Sequence, residues 1–267
     1  MVGDRATRYG VVFEEGPTAL FLHGWGLGYR SYERSLRTLG ASGWNVIAPD
    51  LPGFGGTSDL ALKGVSFEEL ARFVDNLLTQ LEVNEPVRVV GHSFGGAVAI
   101  QLAHDFPKRV ESVVLLDAAS GATWMRSSAR SHPMATRPIW DWAASLIRDL
   151  PVSEAPISVP TILGQVAWNL VRHPGSMSIA ADLARSADMR EQLAVLAARG
   201  VDVRAVWGTA DHVVTRASFE DQCSALGREG ELVPGSHSWP ISEPRWFADA
   251  TVGIPLTVNA VVVPEED

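Results

Sequence analysis

Three residues carry the chemistry this sequence could perform: Ser93, Asp211 and His237. Ser93 stands in Gly91-His92-Ser93-Phe94-Gly95-Gly96, after Pro86-Val87-Arg88-Val89-Val90 and before the apolar helical pattern from Ala97 to Ala103. A β-branched run, then Gly-x-Ser-x-Gly, then a helix predicts a strand, a sharp turn and a helix, with the serine at the turn. Such a turn holds serine in a sparsely populated backbone region and pushes its hydroxyl out over the end of a sheet. Gly91 and Gly95 remove Cβ atoms that would collide in so tight a bend, and Gly96 lets the helix pack closely. The amides of the first helical turn then face the place where negative charge would develop. The plain alternative is an N-capping serine at a glycine-rich helix start, and the other loops argue against it.

A serine hydroxyl is a poor nucleophile until a base takes its proton, and the base works better when a buried carboxylate orients it. Asp211 lies in Gly208-Thr209-Ala210-Asp211-His212 after the apolar run Val201 to Trp207. His237 lies in Pro234-Gly235-Ser236-His237-Ser238-Trp239-Pro240 after Glu231-Leu232-Val233. Each follows a strand at a turn, so a parallel sheet would bring all three to one edge, where open α/β sheets bind ligands. Asp117, after Leu115-Leu116, also follows a strand and is a second candidate for the acid's place. His92 and His212 adjoin these positions, and neighbours in a strand or turn should point away from the site. His104, His132 and His173 read as surface or packing residues. No spacing such as H-E-x-x-H is present, so neither a metal nor a cofactor is expected.

Short apolar strands alternate with helical patterns before residue 118 and after 197, which predicts an α/β fold. Its central sheet is mostly parallel, with helices on both faces. Strands are predicted at Tyr9–Phe13, Thr18–Leu22, Asn45–Ala48, Val110–Leu116 and Val201–Trp207. Ser66-x-x-Glu69 is a capping box opening a helix whose stripe is Leu70, Phe73, Val74, Leu77, Leu78 and Leu81. Further helices are expected at Ser31–Leu39, Arg216–Leu226 and Pro244–Ala250. The tail, Ile254 to Asp267, is apolar and then acidic, and either an edge strand or a loose terminus fits it.

Residues 1–118 and 197–267 thus form the core, and 119–196 interrupt the rhythm. No strand candidate occurs from Ala119 to Leu196, so a helical cap over the sheet's carboxyl edge is expected. That segment holds four of the nine tryptophans and four of the five methionines, side chains that suit an adaptable apolar pocket. Its formal charge is +1, against -10 for the rest of the chain.

Composition narrows the function classes. The chain has 267 residues, 46% of them hydrophobic, enough for a large core. A net charge of -9 argues against an electrostatic nucleic-acid footprint. No apolar run reaches membrane-spanning length, and the first residues lack the apolar core of a signal peptide. A cytoplasmic protein without nucleic-acid partners or stable membrane insertion is expected. Cys223, the one cysteine, reads as a buried inert thiol.

In order and spacing, H-G-W-G-L-G (23–28), P-D-L-P-G-F-G-G-T-S (49–58), G-H-S-F-G-G (91–96), W-G-T-A-D-H-V-V (207–214) and G-S-H-S-W-P (235–240) resemble the α/β-hydrolases. The resemblance covers residues 18 to 240 apart from the insertion. It implies Ser93 as nucleophile, His237 as general base and then acid, and Asp211 as the orienting carboxylate. It also implies an oxyanion hole made by the backbone N–H groups of Trp25 and Phe94, where losing one donor costs about 3 kcal/mol. His23 would brace the glycine loop. His23, Gly24, Trp124, Trp140, Trp168 and Trp239 would line the substrate pocket. Members that displace halide or open epoxides use aspartate at this position, and dienelactone-type members use cysteine. Serine leaves acyl chemistry, chiefly hydrolysis of a small-molecule ester. H-G-W-G-L with P-D-L-P-G-F-G is similar to carboxylesterases that trim methyl esters in biotin synthesis. Carbon–carbon bond hydrolases, perhydrolases, cofactor-free haloperoxidases and acyltransferases share the triad, and a non-catalytic binding protein is the remaining alternative.

Overall fold

The computed structural model describes residues 2, 5–59, 65–124, 132–133, 136–137, 145 and 158–256. Seven strands form one sheet in the order β1-β3-β2-β4-β5-β8-β9. They are β1 (Tyr9–Val12), β2 (Thr18–Leu22), β3 (Asn45–Pro49), β4 (Val87–His92), β5 (Val110–Leu116), β8 (Asp202–Gly208) and β9 (Glu231–Val233). Only β1, at the edge, runs antiparallel to its neighbour; the other pairs are parallel.

The period of two along each strand feeds two cores. Leu20 and Leu22 of β2 and Val113 and Leu115 of β5 face one helical layer, together with Trp207 of β8. That layer holds α2 (Phe67–Gln80), α3 (Phe94–Asp105), α6 (Arg190–Ala198) and α7 (Arg216–Leu226). Ala19 and Phe21 of β2 and Val114 and Leu116 of β5 face the other, against α1 (Glu33–Ala41), α8 (Trp239–Ser242) and α9 (Pro244–Val252). Helix α3 is buried from Phe94 to Ala103, which is why its sequence is apolar on every side. The Ser66 side chain caps α2 by accepting from the Glu69 N–H, and Gly227, at φ 63°, closes α7 in the left-handed conformation.

Between β5 and β8 the segment expected to lack strands holds a short antiparallel pair, β6 (Thr123–Trp124) with β7 (His132–Pro133). Two residues per strand are too few to show a period, so the pattern could not reveal them. Helices α4 (Ser158–Arg172) and α5 (Pro174–Arg185) follow. Helix α4 packs Ile162 and Val166 inward together with the amides Gln165 and Asn169, while Leu163, Leu170 and Val171 lie exposed on its outer side. Among the described residues no helix is long and apolar enough to cross a membrane.

Candidate active site

The parallel register brings the ends of five strands level. Leu22 pairs with Gly91, His92 with Leu116, and Leu116 with Val206, while Gly208 pairs with Val233. The loops beginning at His23, Ser93, Asp117, Thr209 and Pro234 therefore leave the sheet at one edge.

Ser93 occupies that edge at φ 52° and ψ -118°, a strained conformation for a residue with a Cβ. Its neighbours must be glycine. A Cβ on Gly91 would lie 2.5 Å from the Gly95 carbonyl oxygen, and one on Gly95 would lie 2.2 Å from that of Leu22. A Cβ on Gly96 would meet the Ala118 methyl at 2.4 Å. The second contact also shows that the glycine loop after β2 presses against the start of α3. Phe94, the first residue of α3, keeps its N–H outside the helical ladder. Its ring is buried against Phe54 and Phe67.

Across 144 residues, the Nε2 of His237 lies 2.9 Å from Ser93 Oγ. The Nδ1 of His237 lies 2.8 Å from Asp211 Oδ2. Asp211 is buried, and its Oδ1 accepts the N–H groups of Val213 at 2.7 Å and Val214 at 2.9 Å, so the carboxylate is fixed on both oxygens. Since a carboxylate only accepts, Nδ1 of His237 carries the proton and Nε2 is left to accept from the serine hydroxyl. The buried carboxylate of Asp117 instead accepts the Gly208 N–H at 2.7 Å, tying the ends of β5 and β8. Asp117 is near all the same, with a carboxylate oxygen within 4.8 Å of ring nitrogens of His92 and His237. Those ring nitrogens are already committed to hydrogen bonds and offer no free lone pair to a cation.

His92 does not turn away from the site as its place in the strand suggested. Its Nε2 donates to the His237 carbonyl at 2.9 Å, and its Nδ1 accepts from the Tyr32 hydroxyl at 2.6 Å. Burial, with the charge of His237 adding to it, pushes His92 well below the usual histidine value. His23 is fully buried. Its Nδ1 donates to the Gly24 carbonyl at 2.9 Å and its Nε2 accepts the Leu51 N–H at 2.8 Å. It thus clamps the glycine loop to the loop after β3. Burial also lowers its pKa, partly countered by Asp50.

Sequence reasoning gave no role to Asp50, Asn169 or Tyr32. Asp50 is buried, and its two carboxylate oxygens accept the N–H groups of Tyr29 and Gly56. Its signal was an aspartate ahead of a glycine-rich turn. Asn169 accepts the Gly55 N–H and donates to the carbonyls of Gly26 and Leu27. Its signal was a lone amide amid Trp168, Leu170 and Val171. The indole of Trp25 donates to the Met177 carbonyl at 2.9 Å, so α4 and α5 both grip the glycine loop.

The tryptophans expected in the pocket are scattered. Trp168 is 56% exposed with Arg172 over its ring, which puts it on the outer side of α4 rather than in an enclosed wall. Trp239 is buried in the core facing α1 and α9, not in a cleft. Both depart from expectation because composition does not reveal which side of a helix meets the body. Trp124 falls in β6, and Trp140 lies outside the described residues. Gly24 sits where a Cβ would come 2.9 Å from His92 Nδ1. His212 is exposed, His104 pairs with Asp105, and His173 is buried with its ring on Asp59. Cys223 is half-buried, and burial pushes its thiol up.

The model of the alpha/beta hydrolase family matches residues 19–250. An uncharacterized protein of Mycobacterium tuberculosis is 29% identical over 258 residues, covering 88% of this chain and 74% of the relative. The AB hydrolase superfamily protein YisY of Bacillus subtilis is 27% identical over 233 residues, covering 84% of each. Among solved structures, an esterase from Exiguobacterium antarcticum superposes with a TM-score of 0.75 at 19% identity, covering 92% of this chain and 94% of that one.

Proposed function

The chain belongs to the alpha/beta hydrolase family, and from that premise we propose that it is a serine hydrolase. It cleaves carboxylic esters of small or medium acyl substrates through an acyl-serine intermediate. The observation that carries this reading is the Ser93–His237–Asp211 chain, with contacts of 2.9 and 2.8 Å. The esterase among its structural likenesses is in keeping with it.

In the first half, Ser93 Oγ attacks the ester carbonyl carbon as His237 Nε2 takes the hydroxyl proton. The imidazolium so formed is held by Asp211, and the oxyanion by the N–H groups of Phe94 and Trp25. Collapse breaks the carbon–oxygen bond of the ester, and His237 returns its proton to the departing alcohol. In the second half His237 takes a proton from water, and the hydroxide attacks the acyl-serine. The free acid leaves and Ser93 regains its proton. The chain's own side chains supply every proton transfer.

A fluorophosphonate probe should label Ser93 stoichiometrically, and p-nitrophenyl esters of rising chain length should be turned over fastest at short or medium length. A protein that neither labels nor turns over any ester would end this reading. Labelling without hydrolysis would shift it to acyl transfer.

A further inference from the structure

Behind the proposed catalytic residues runs a second line of hydrogen bonds whose direction can be worked out atom by atom. The His237 carbonyl can only accept, so His92 Nε2 carries its ring proton, at 2.9 Å. His92 Nδ1 is then a bare lone pair, which accepts the Tyr32 hydroxyl proton at 2.6 Å. The Tyr32 oxygen in turn accepts the Gly24 N–H at 3.2 Å. All three side chains are buried, and each proton has one place to be. The line joins the main chain that carries the base to the loop that carries Trp25.

The geometry points to Tyr32 and His92 as positioning residues, a strut holding the oxyanion loop and the His237 loop in register from behind Ser93. This rests on the serine-hydrolase reading. Neither residue touches substrate. The Ser93 hydroxyl and both nitrogens of the His237 ring are engaged elsewhere, so His92 hydrogen-bonds the His237 main chain while its ring lies 4.8 Å from the His237 ring. Space is tight as well as directed: a Cβ on Gly24 would lie 2.9 Å from His92 Nδ1 and 3.2 Å from the Tyr32 oxygen. The strut requires neutral His92, because a proton on Nδ1 would leave the Tyr32 hydroxyl without its acceptor. Burial keeps that proton off, and it keeps Tyr32 an O–H donor by raising its pKa.

The test follows the rate and the end point of fluorophosphonate labelling at Ser93 by intact mass, in wild type, Tyr32→Phe, His92→Asn and the double variant. Expected is complete labelling in all, slowed about 10- to 100-fold in each single variant, with KM for p-nitrophenyl acetate within about threefold of wild type. The double variant should be no slower than the slower single one, because both break one line. Wild-type labelling rates in the folded fraction of a single variant would overturn the strut and leave a merely structural role. Additive losses in the double variant would overturn it too. If one single variant does not fold, the other decides by the same rate. A wild-type protein that fails to label would instead defeat the serine-nucleophile reading, and the strut with it.

Discussion

Asn169 of α4 and Gly26 of the glycine loop, 143 positions apart, share a hydrogen bond of 2.9 Å. The same amide reaches Leu27 at 3.3 Å and accepts from Gly55 at 2.9 Å, so one buried side chain joins α4 to two loops of the sheet edge. Asn169→Ala removes all three bonds and should cost about 1–3 kcal/mol in urea unfolding. Asn169→Asp keeps an acceptor for Gly55 but turns a carboxylate oxygen toward two carbonyls. It should destabilise more than alanine, and the ranking of the two midpoints checks this.

Ser93 separates chemistry from strain. Ser93→Ala should abolish ester turnover while leaving the melting temperature near wild type, since the backbone still sits at φ 52°. Ser93→Gly should be equally inactive yet more stable than Ser93→Ala by about 1–3 kcal/mol, because glycine meets no Cβ clash there. Thermal unfolding of the two inactive variants, side by side, measures the strain.

The two candidate acids should differ in effect. Asp211→Asn loses the charge facing His237 and can present N–H where Nδ1–H already points, so kcat should fall by about 10^4-fold. Asp117→Asn can still accept the Gly208 N–H and should keep activity within about tenfold of wild type. Steady-state kinetics on p-nitrophenyl acetate reads both, and the opposite ranking would move the acid to Asp117.

Glycine to alanine should cut both ways. Gly95→Ala places a methyl 2.2 Å from the Leu22 carbonyl oxygen and should give inactive or insoluble protein. Gly164→Ala, at an exposed position of α4 with nothing within 4 Å of its Cβ, should stabilise by up to about 1 kcal/mol. Expression yield and melting temperature distinguish them.

Acid should unfold the protein through its buried histidines. His23 and His92 have lowered values in the fold against 6.5 for the free side chain, in both cases chiefly through burial. Below pH 6.5 the unfolded chain binds protons that the folded chain refuses, so stability is full above that pH and falls beneath it. The slope approaches about 1.4 kcal/mol per pH unit for each histidine. Urea unfolding between pH 5 and 8 should show this, and His92→Asn should remove one proton's share of the slope.

Where signals were local, the sequence carried them well. The Ser93 turn, the Ser66 cap and the α7 boundaries each follow from residues within a few positions of one another. The meeting of Ser93, Asp211 and His237 was legible too, because each ends a parallel strand. What escaped depends on which way a side chain faces after packing. Trp168 and Asn169 are neighbours on α4, and the tryptophan lies outside while the amide goes in. Ordinary amphipathic logic predicts the reverse. His92 lies in a buried strand, and its ring finds its partners in Tyr32 and the His237 loop, both distant in sequence. The β6–β7 pair, at two residues a strand, left no period to find.

The long separations at the sheet edge bear on how the molecule is born. Ser93 and His237 meet across 144 residues, and Asn169 and Gly26 across 143. Closing loops of that length costs chain entropy, which the contacts of the strands between must offset. A chain that stops before β9 lacks His237, whose Nε2 is the ring nitrogen bonded to Ser93 Oγ. On the serine-hydrolase reading, a chain without His237 carries the Ser93 hydroxyl with no base to take its proton.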